Sequence, residues 1–309
     1  MSRLKLGVSL CLPLFLLMAA STVRAATLYV SCGGKGPLTS IGAALKIVQF
    51  AGPSTINVSG ACHENVLVQS LDRVTLNAVN AASISDASGG KFDVISIQDS
   101  RDVAVNGFTI NAGAGESING ITCGDFSICR LSHNVIQGAT GDGGAGLGVF
   151  GQAEATLDSD VLQNNSIGLF MRSGTKVATR AGPFTSRDNG QGINIGRQAF
   201  ALITAVVANN SGPGVVVQWQ STLELANGSI SGNGNAGALV TQSSFTKFTN
   251  STISGNAAGG VVVSDLSMVN FAGSTVNGNG GGTDIVCNPQ YSATRGVGGT
   301  GGTTNCVEP

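Results

Sequence analysis
The chain has 309 residues, a formal net charge of −1, 46 glycines and only 11% charged residues. Such a balance excludes a nucleic-acid binder, which needs basic stripes to hold the phosphate backbone. Past the first 25 residues no run reaches the ~18 consecutive apolar residues of a membrane span, so no span is expected.

Residues 1–25 read as a cleaved signal peptide. Arg3 and Lys5 give a positive start, Leu6 to Met18 is apolar, and Val23-Arg24-Ala25 supplies small residues at −3 and −1. Removing them takes away Arg3, Lys5 and Arg24, which leaves 13 basic residues against 17 acidic ones. Of the seven cysteines, Cys11 leaves with this segment, and six remain in an oxidising compartment. Proximity pairs Cys32 with Cys62, Cys123 with Cys129 and Cys287 with Cys306, although other pairings are open. A zinc site has little support: there is no C-x-x-C, and only His63 and His133 could add nitrogen.

The mature domain, residues 26–309, opens with a strand from Thr27 to Ser31. A helix follows over residues 41–50, with Ser40 as N-cap and Ile41, Ala44, Leu45 and Val48 on one face. Beyond it the sequence is a series of short β-branched runs broken by Gly, Asn, Ser and Thr, with almost no helical periodicity. The period is clearest near the end. Ser229-Ile230-Ser231-Gly232-Asn233, Thr252-Ile253-Ser254-Gly255-Asn256 and Thr275-Val276-Asn277-Gly278-Asn279 are spaced by 23 residues. The same step relates Leu225, Phe248 and Phe271, and the strands ending in Val240, Val263 and Val286. Asn210, Asn189, Asn165 and Asn134 continue the asparagine row upstream.

A repeat of this length without a helix has room for three short strands and their turns, which is one turn of a solenoid. Stacked coils give parallel ladders and a continuous apolar core, with Val207, Ile230, Ile253 and Val276 as one interior file. The expected fold is therefore all-β, a single right-handed parallel β-helix of roughly eleven coils with an N-terminal capping helix. Residues 288–309 form a Gly-rich tail that could fold back from Ser292 under a Cys287–Cys306 bridge and close the far end.

The N-terminal strand, the capping helix, the Cys62-His63-Glu64-Asn65-Val66 segment and the Asn/Gly coils resemble secreted bacterial right-handed β-helix repeat proteins of the pectate-lyase-like superfamily. The likeness covers essentially the whole mature chain. It implies extracellular polysaccharide as the commonest ligand and no particular chemistry. The Asn-Thr-Asp, Asp-Asp, Gly-His-Gly and Arg-x-Lys elements of polygalacturonases are absent. So are the Asp-Pro-His-Asp motif of alginate epimerases and the arginine-rich segment of pectate lyases.

What remains is positional. In a register set by Ile97, Cys123, Val149, Leu169, Ile195, Val217, Val240 and Val263, one outer row reads Asp99, Asp125, Gln152, Arg172, Arg197, Trp219, Gln242 and Asp265. A glycan could lie along it, stacked on Trp219 and held at uronate carboxylates by Arg172 and Arg197, with Gln152, Gln242 and Asp265 as polar contacts. The plain alternative is an outer surface kept polar for solubility. Two functions follow: a non-catalytic secreted protein contacting polysaccharide, or a polysaccharide lyase or epimerase acting on uronates. In a lyase an arginine accepts the proton, and Asp99 with Asp125 holds a calcium ion; otherwise no cofactor and no metal are expected. A monomer is expected, in the periplasm, outside the cell or on its surface. His63, His133, Glu64 and Asp142 read as turn or structural residues, and Asp158 with Asp160 as a surface pair.

Overall fold
A computed structural model describes residues 25–49, 51–288, 293–295 and 297–306. The expected signal peptide and Cys11 lie outside the described residues, apart from Ala25. From Ser54 onward each coil runs through three short strands separated by turns, as in Ile167–Met171, Lys176–Thr179 and Phe184–Arg187, before Gln191–Ile195 begins the next. One wall is a ten-stranded sheet from Val66–Gln69 to Ile285–Cys287. The other two walls form one 20-stranded sheet, because Ser54–His63 and Val74–Ser85 bend around the corner between them. Gly60, at φ +84°, supplies that bend where the register shifts between Ser59 and Ala61. Every strand pairing is parallel, as the repeat requires.

The ten strands of the first sheet account for the full turns, against roughly eleven expected from the repeat length. The remaining repeat is an incomplete first coil, in which the helix Ile41–Val48 follows the strand Ala26–Ser31. The helix buries Ile41, Ala44, Leu45 and Val48 against the open end of the core. Its first N–H groups are satisfied from two sides. Ser40 Oγ accepts from Ala43 N, and the Glu64 carboxylate accepts from Ile41 N at 2.7 Å and Gly42 N at 3.1 Å. A carboxylate there also opposes the positive end of the helix dipole, so Glu64 is structural. At the far end the tail returns: Thr303 and Thr304 lie along Ile285, and Asn305 bonds both the N–H and the carbonyl of Cys287. The disulfides Cys32–Cys62, Cys123–Cys129 and Cys287–Cys306 are all formed.

Inside, Val207, Ile230, Ile253 and Val276 are successive partners with no exposed surface, so the expected interior file is real. Leu225, Phe248 and Phe271 stack in the same way, the two phenyl rings 5.6 Å apart with their planes 18° from parallel. One step of the 23-residue spacing fails. Val263 pairs with Cys287, and Val286 lies opposite Val262, because the last coil carries one extra residue.

The asparagine row is a buried ladder. Asn165, Asn189, Asn210, Asn233, Asn256 and Asn279 each accept, at the side-chain oxygen, the backbone N–H of the residue one coil earlier; for Asn165 that residue is Ala139. Asp284 ends the ladder by accepting from the backbone and side-chain nitrogens of Asn279. Asn134 does not belong to it: it occupies a different turn, where its backbone and side-chain nitrogens donate to Asp160. Asn233→Ala would leave the buried Asn210 N–H without an acceptor, which costs about 1–3 kcal/mol and is readable as a lower midpoint in thermal or denaturant unfolding.

Asp158 and Asp160 are not the surface pair expected from their spacing. Asp160 falls in the turn after the strand Glu154–Asp158 and is fully buried. His63 and His133 meet the expectation for turn histidines: each is exposed and touches a neighbouring serine hydroxyl, Ser85 and Ser132 respectively. Among the described residues no helix is long and apolar enough to cross a membrane.

Candidate functional site
The outer row read from the sequence does not stand on the sheet face. Asp99, Asp125, Gln152, Arg197, Trp219, Gln242 and Asp265 all have φ between 47° and 61°, in the turn that leaves the ten-stranded sheet. A side chain in this left-handed region costs of order 1 kcal/mol or more unless it is Gly, Asn or Asp. Trp219, Arg197 and four glutamines, Gln152, Gln198, Gln220 and Gln242, nonetheless adopt it, and the turns stack coil upon coil. Four of the row, Gln152, Arg197, Trp219 and Gln242, line one open cleft of about 850 Å³, together with Ser173 and Gln220.

Arg172 departs from the row. Its neighbour Met171 pairs with Val149 and Ile195, whereas Leu169 pairs with Leu147 and Ile193. Setting the register on Leu169 therefore slips this coil by two residues, and Ser173 takes the turn position instead. The slip has a chemical consequence: Arg172 projects from the outer face of the sheet beside Phe170 rather than from the turn. A second groove, of about 470 Å³, runs over that face between Phe150, Phe170, Arg172, Gln191, Asn194 and Asp142. Asp142 is an exposed turn residue at its edge.

The two hollows meet at one cluster. The Arg172 guanidinium lies 4.2 Å from the centre of the Phe170 ring and 5.7 Å from that of Trp219, and Arg197 sits 5.6 Å from the same indole. Phe150 meets Phe170 edge-on at 5.7 Å. Gly196 and Gly148 make this possible. A Cβ at Gly196 would stand 2.9 Å from the indole, and one at Gly148 would clash with the Phe150 ring. Both rings thus fold down onto bare backbone.

Among the described residues neither arginine forms an ion pair. Arg172 Nε is buried and has no hydrogen-bond partner. Burial, and then the charge of Arg197, hold the Arg172 guanidinium below its ordinary pKa. An unpaired, half-buried cation between two aromatic faces is a poor way to stabilise a fold. It is a good way to receive an anion, since a carboxylate takes two parallel N–H bonds from the guanidinium fork.

The acidic members of the row lie elsewhere. Asp99 and Asp125 occupy earlier turns and line neither hollow, and Asp265 accepts from the hydroxyls of Thr241 and Ser264. The arrangement in which Asp99, Asp125, Arg172 and Arg197 would converge on one cleft is therefore absent. Among the described residues one trio of potential metal ligands falls within 4.8 Å, Cys32, Cys62 and Glu64; it is a disulfide beside the carboxylate that caps the helix. Sequence reasoning missed Phe170, Phe150 and Asn194. The asparagine ladder carries the missing signal: Ile195 follows Asn189 by six residues, and the same count from Asn165 reaches Met171, not Leu169.

Parallel three-wall coils define the class: the chain is a right-handed parallel β-helix. Residues 145–295 match the family described as right handed beta helix region. Among solved structures, the A-module of mannuronan C-5 epimerase AlgE6 from Azotobacter vinelandii is similar at TM-score 0.58 and 16% identity, over 87% of this chain and 91% of that one. The GH136 lacto-N-biosidase from Eubacterium ramulus gives 0.49 and 9%, over 92% and 67%. Pectate lyase Pel9A gives 0.38 and 11%, over 92% and 78%. No curated protein matches the sequence.

Proposed function
We propose that this is a secreted, non-catalytic β-helix that holds acidic polysaccharide on the outer face of its ten-stranded sheet. The observation that carries the reading is the unpaired Arg172, stacked on Phe170 beside Trp219 and Arg197. The uronate carboxylate goes to the arginine pair, and the apolar face of a pyranose goes to the indole. Fold likeness to a mannuronan epimerase module agrees with the ligand class without assigning the chemistry. Three disulfides fit the expected passage through an oxidising compartment by way of the 25-residue leader.

A second reading, a uronate lyase or epimerase, is favoured by one fact: burial and Arg197 make the Arg172 guanidinium easier to deprotonate than a solvated one, as a general base requires. The missing motifs and the scattered carboxylates count against it. One assay separates the two. The protein is passed over immobilised pectate, alginate and hyaluronan while the ultraviolet absorbance of unsaturated uronates is followed, with and without calcium. Retention with a flat trace is the expected result. Rising absorbance that is lost in Arg172→Ala would replace binding by lysis, and absence of both on all three polymers would remove both readings.

A further inference from the structure
A separate hollow of about 530 Å³ opens on the same outer face nearer the N-terminus, between Leu67, Lys91, Phe92, Ser96, Gln98 and Ile118. Its wall is a loop whose shape is fixed by an unusual number of hydrogen bonds. Asp86 accepts from Ser88 N, Ser88 Oγ, Gly90 N and Asn65 Nδ2, which hold its carboxyl down at about 2. Ser88 Oγ in turn accepts from Lys91 N and Phe92 N, and Asn65 Nδ2 donates to the carbonyls of Phe92 and Asp93. On its other side Gly90 backs onto Gly115 so closely that a Cβ would stand 2.8 Å from the Gly115 nitrogen.

This order presents Phe92, 67% exposed, to water beside Leu67 of the strand Val66–Gln69, which is 52% exposed. Lys91 beside them has no ion-pair partner among the described residues. The neighbouring carboxylate of Asp93 turns to Asn119 N and Thr122 Oγ1 and forms no ion pair with that ammonium. A rigid aromatic face, an opposed aliphatic one, a free cation and the amide of Gln98 match a pyranose ring bearing a carboxylate.

The hollow is also aligned with the site already described. Ser96, Thr122, Gly148 and Phe170 are successive partners on the sheet's outer face. The step from Ser96 to Phe170 is three ladder spacings, about 14 Å, over a floor formed by Thr122 and by the Phe150 ring lying on Gly148. We infer that the Phe92–Leu67–Lys91 hollow is a second binding site for an acidic sugar unit, and that one glycan chain occupies it and the Arg172 site together. This rests on the proposed binding function and adds a length requirement to it: a short oligomer reaches only one site, a long one gains both.

The test is a titration with a galacturonate or mannuronate dimer and with a long oligomer of the same sugar. Wild type is expected to bind the long oligomer at least tenfold more tightly than the dimer. Phe92→Ala and Lys91→Gln, both at exposed loop positions, are expected to remove that gain and leave dimer binding at the Arg172 site, read from Trp219 fluorescence, unchanged. If the gain survives in both variants while Arg172→Ala still abolishes binding, the second site is wrong and the first stands. If wild type binds neither oligomer, both fall.

Discussion

Arg172→Ala is expected to weaken retention on acidic polysaccharide by roughly ten- to a hundredfold, the 1.5–3 kcal/mol typical of hydrogen bonds to a charged group. The same change should barely alter the unfolding midpoint. Among the described residues the guanidinium has no ion pair and its Nε no hydrogen-bond partner, so truncation removes a desolvated cation along with its contact to Phe170. A residue kept for stability would show the opposite pattern. Arg172→Lys separates charge from geometry: the ammonium keeps the charge but loses the planar fork and the flat stack on Phe170, so it restores binding only in part. Equal loss in Ala and Lys would identify the bidentate contact as the essential element. No loss in Ala would remove Arg172 from the site.

Asp160→Asn is expected to stabilise the protein above pH 6, by up to about 3 kcal/mol. Asp160 is wholly buried, and burial pushes its carboxyl up from 3.8 to about 6, although it accepts from Asn134 N, Asn134 Nδ2 and Asp158 N. Desolvation outweighs those bonds. Below pH 3.8 the group is protonated in both folded and unfolded chains, and its favourable contribution is fully present. Between 3.8 and about 6 the unfolded chain ionises first, so the folded protein binds the extra proton and its stability falls as pH rises. Asparagine keeps an oxygen for the Asn134 donors and never ionises, but its amide nitrogen cannot accept from Asp158 N, so the gain falls short of that ceiling by the worth of one hydrogen bond. In denaturant titrations the wild-type midpoint should therefore decline across this window relative to the variant, and the two curves should converge in acid. Parallel curves at all pH values would show that Asp160 titrates normally.

The fold was legible because a solenoid writes its period into every coil. Interior positions such as Val207, Ile230 and Ile253 recur at one step, since each must fill the same slot in the core. Both end caps were readable for the same kind of reason: Ser40 and the apolar face of Ile41–Val48 are local helix signals, and six cysteines at close spacing pair locally. The site was harder. Coils differ in length, by turns that gain or lose a residue without disturbing the core, and a slip of two at Leu169 preserves inside and outside alternation. It therefore leaves no hydrophobic mismatch to reveal it, yet it assigns to the turn an arginine that stands on the sheet face. Trp219 was found by type, but its descent onto Gly196 depends on a glycine one coil earlier whose significance appears only in three dimensions. Asp160 was misread because a buried carboxylate in an asparagine-like turn position looks, in sequence, like any polar residue after a strand.

The chain has a single tryptophan, and it stands in the proposed site, one-third exposed and within 6 Å of both guanidinium groups. Its fluorescence is thus a direct report on the outer face of the ten-stranded sheet. Titrating the protein with oligogalacturonate or oligomannuronate should shift or quench the emission saturably, and the change should disappear in Arg172→Ala. An emission spectrum unmoved by either sugar, at concentrations that saturate retention on the corresponding polymer, would place the glycan elsewhere and contradict the account.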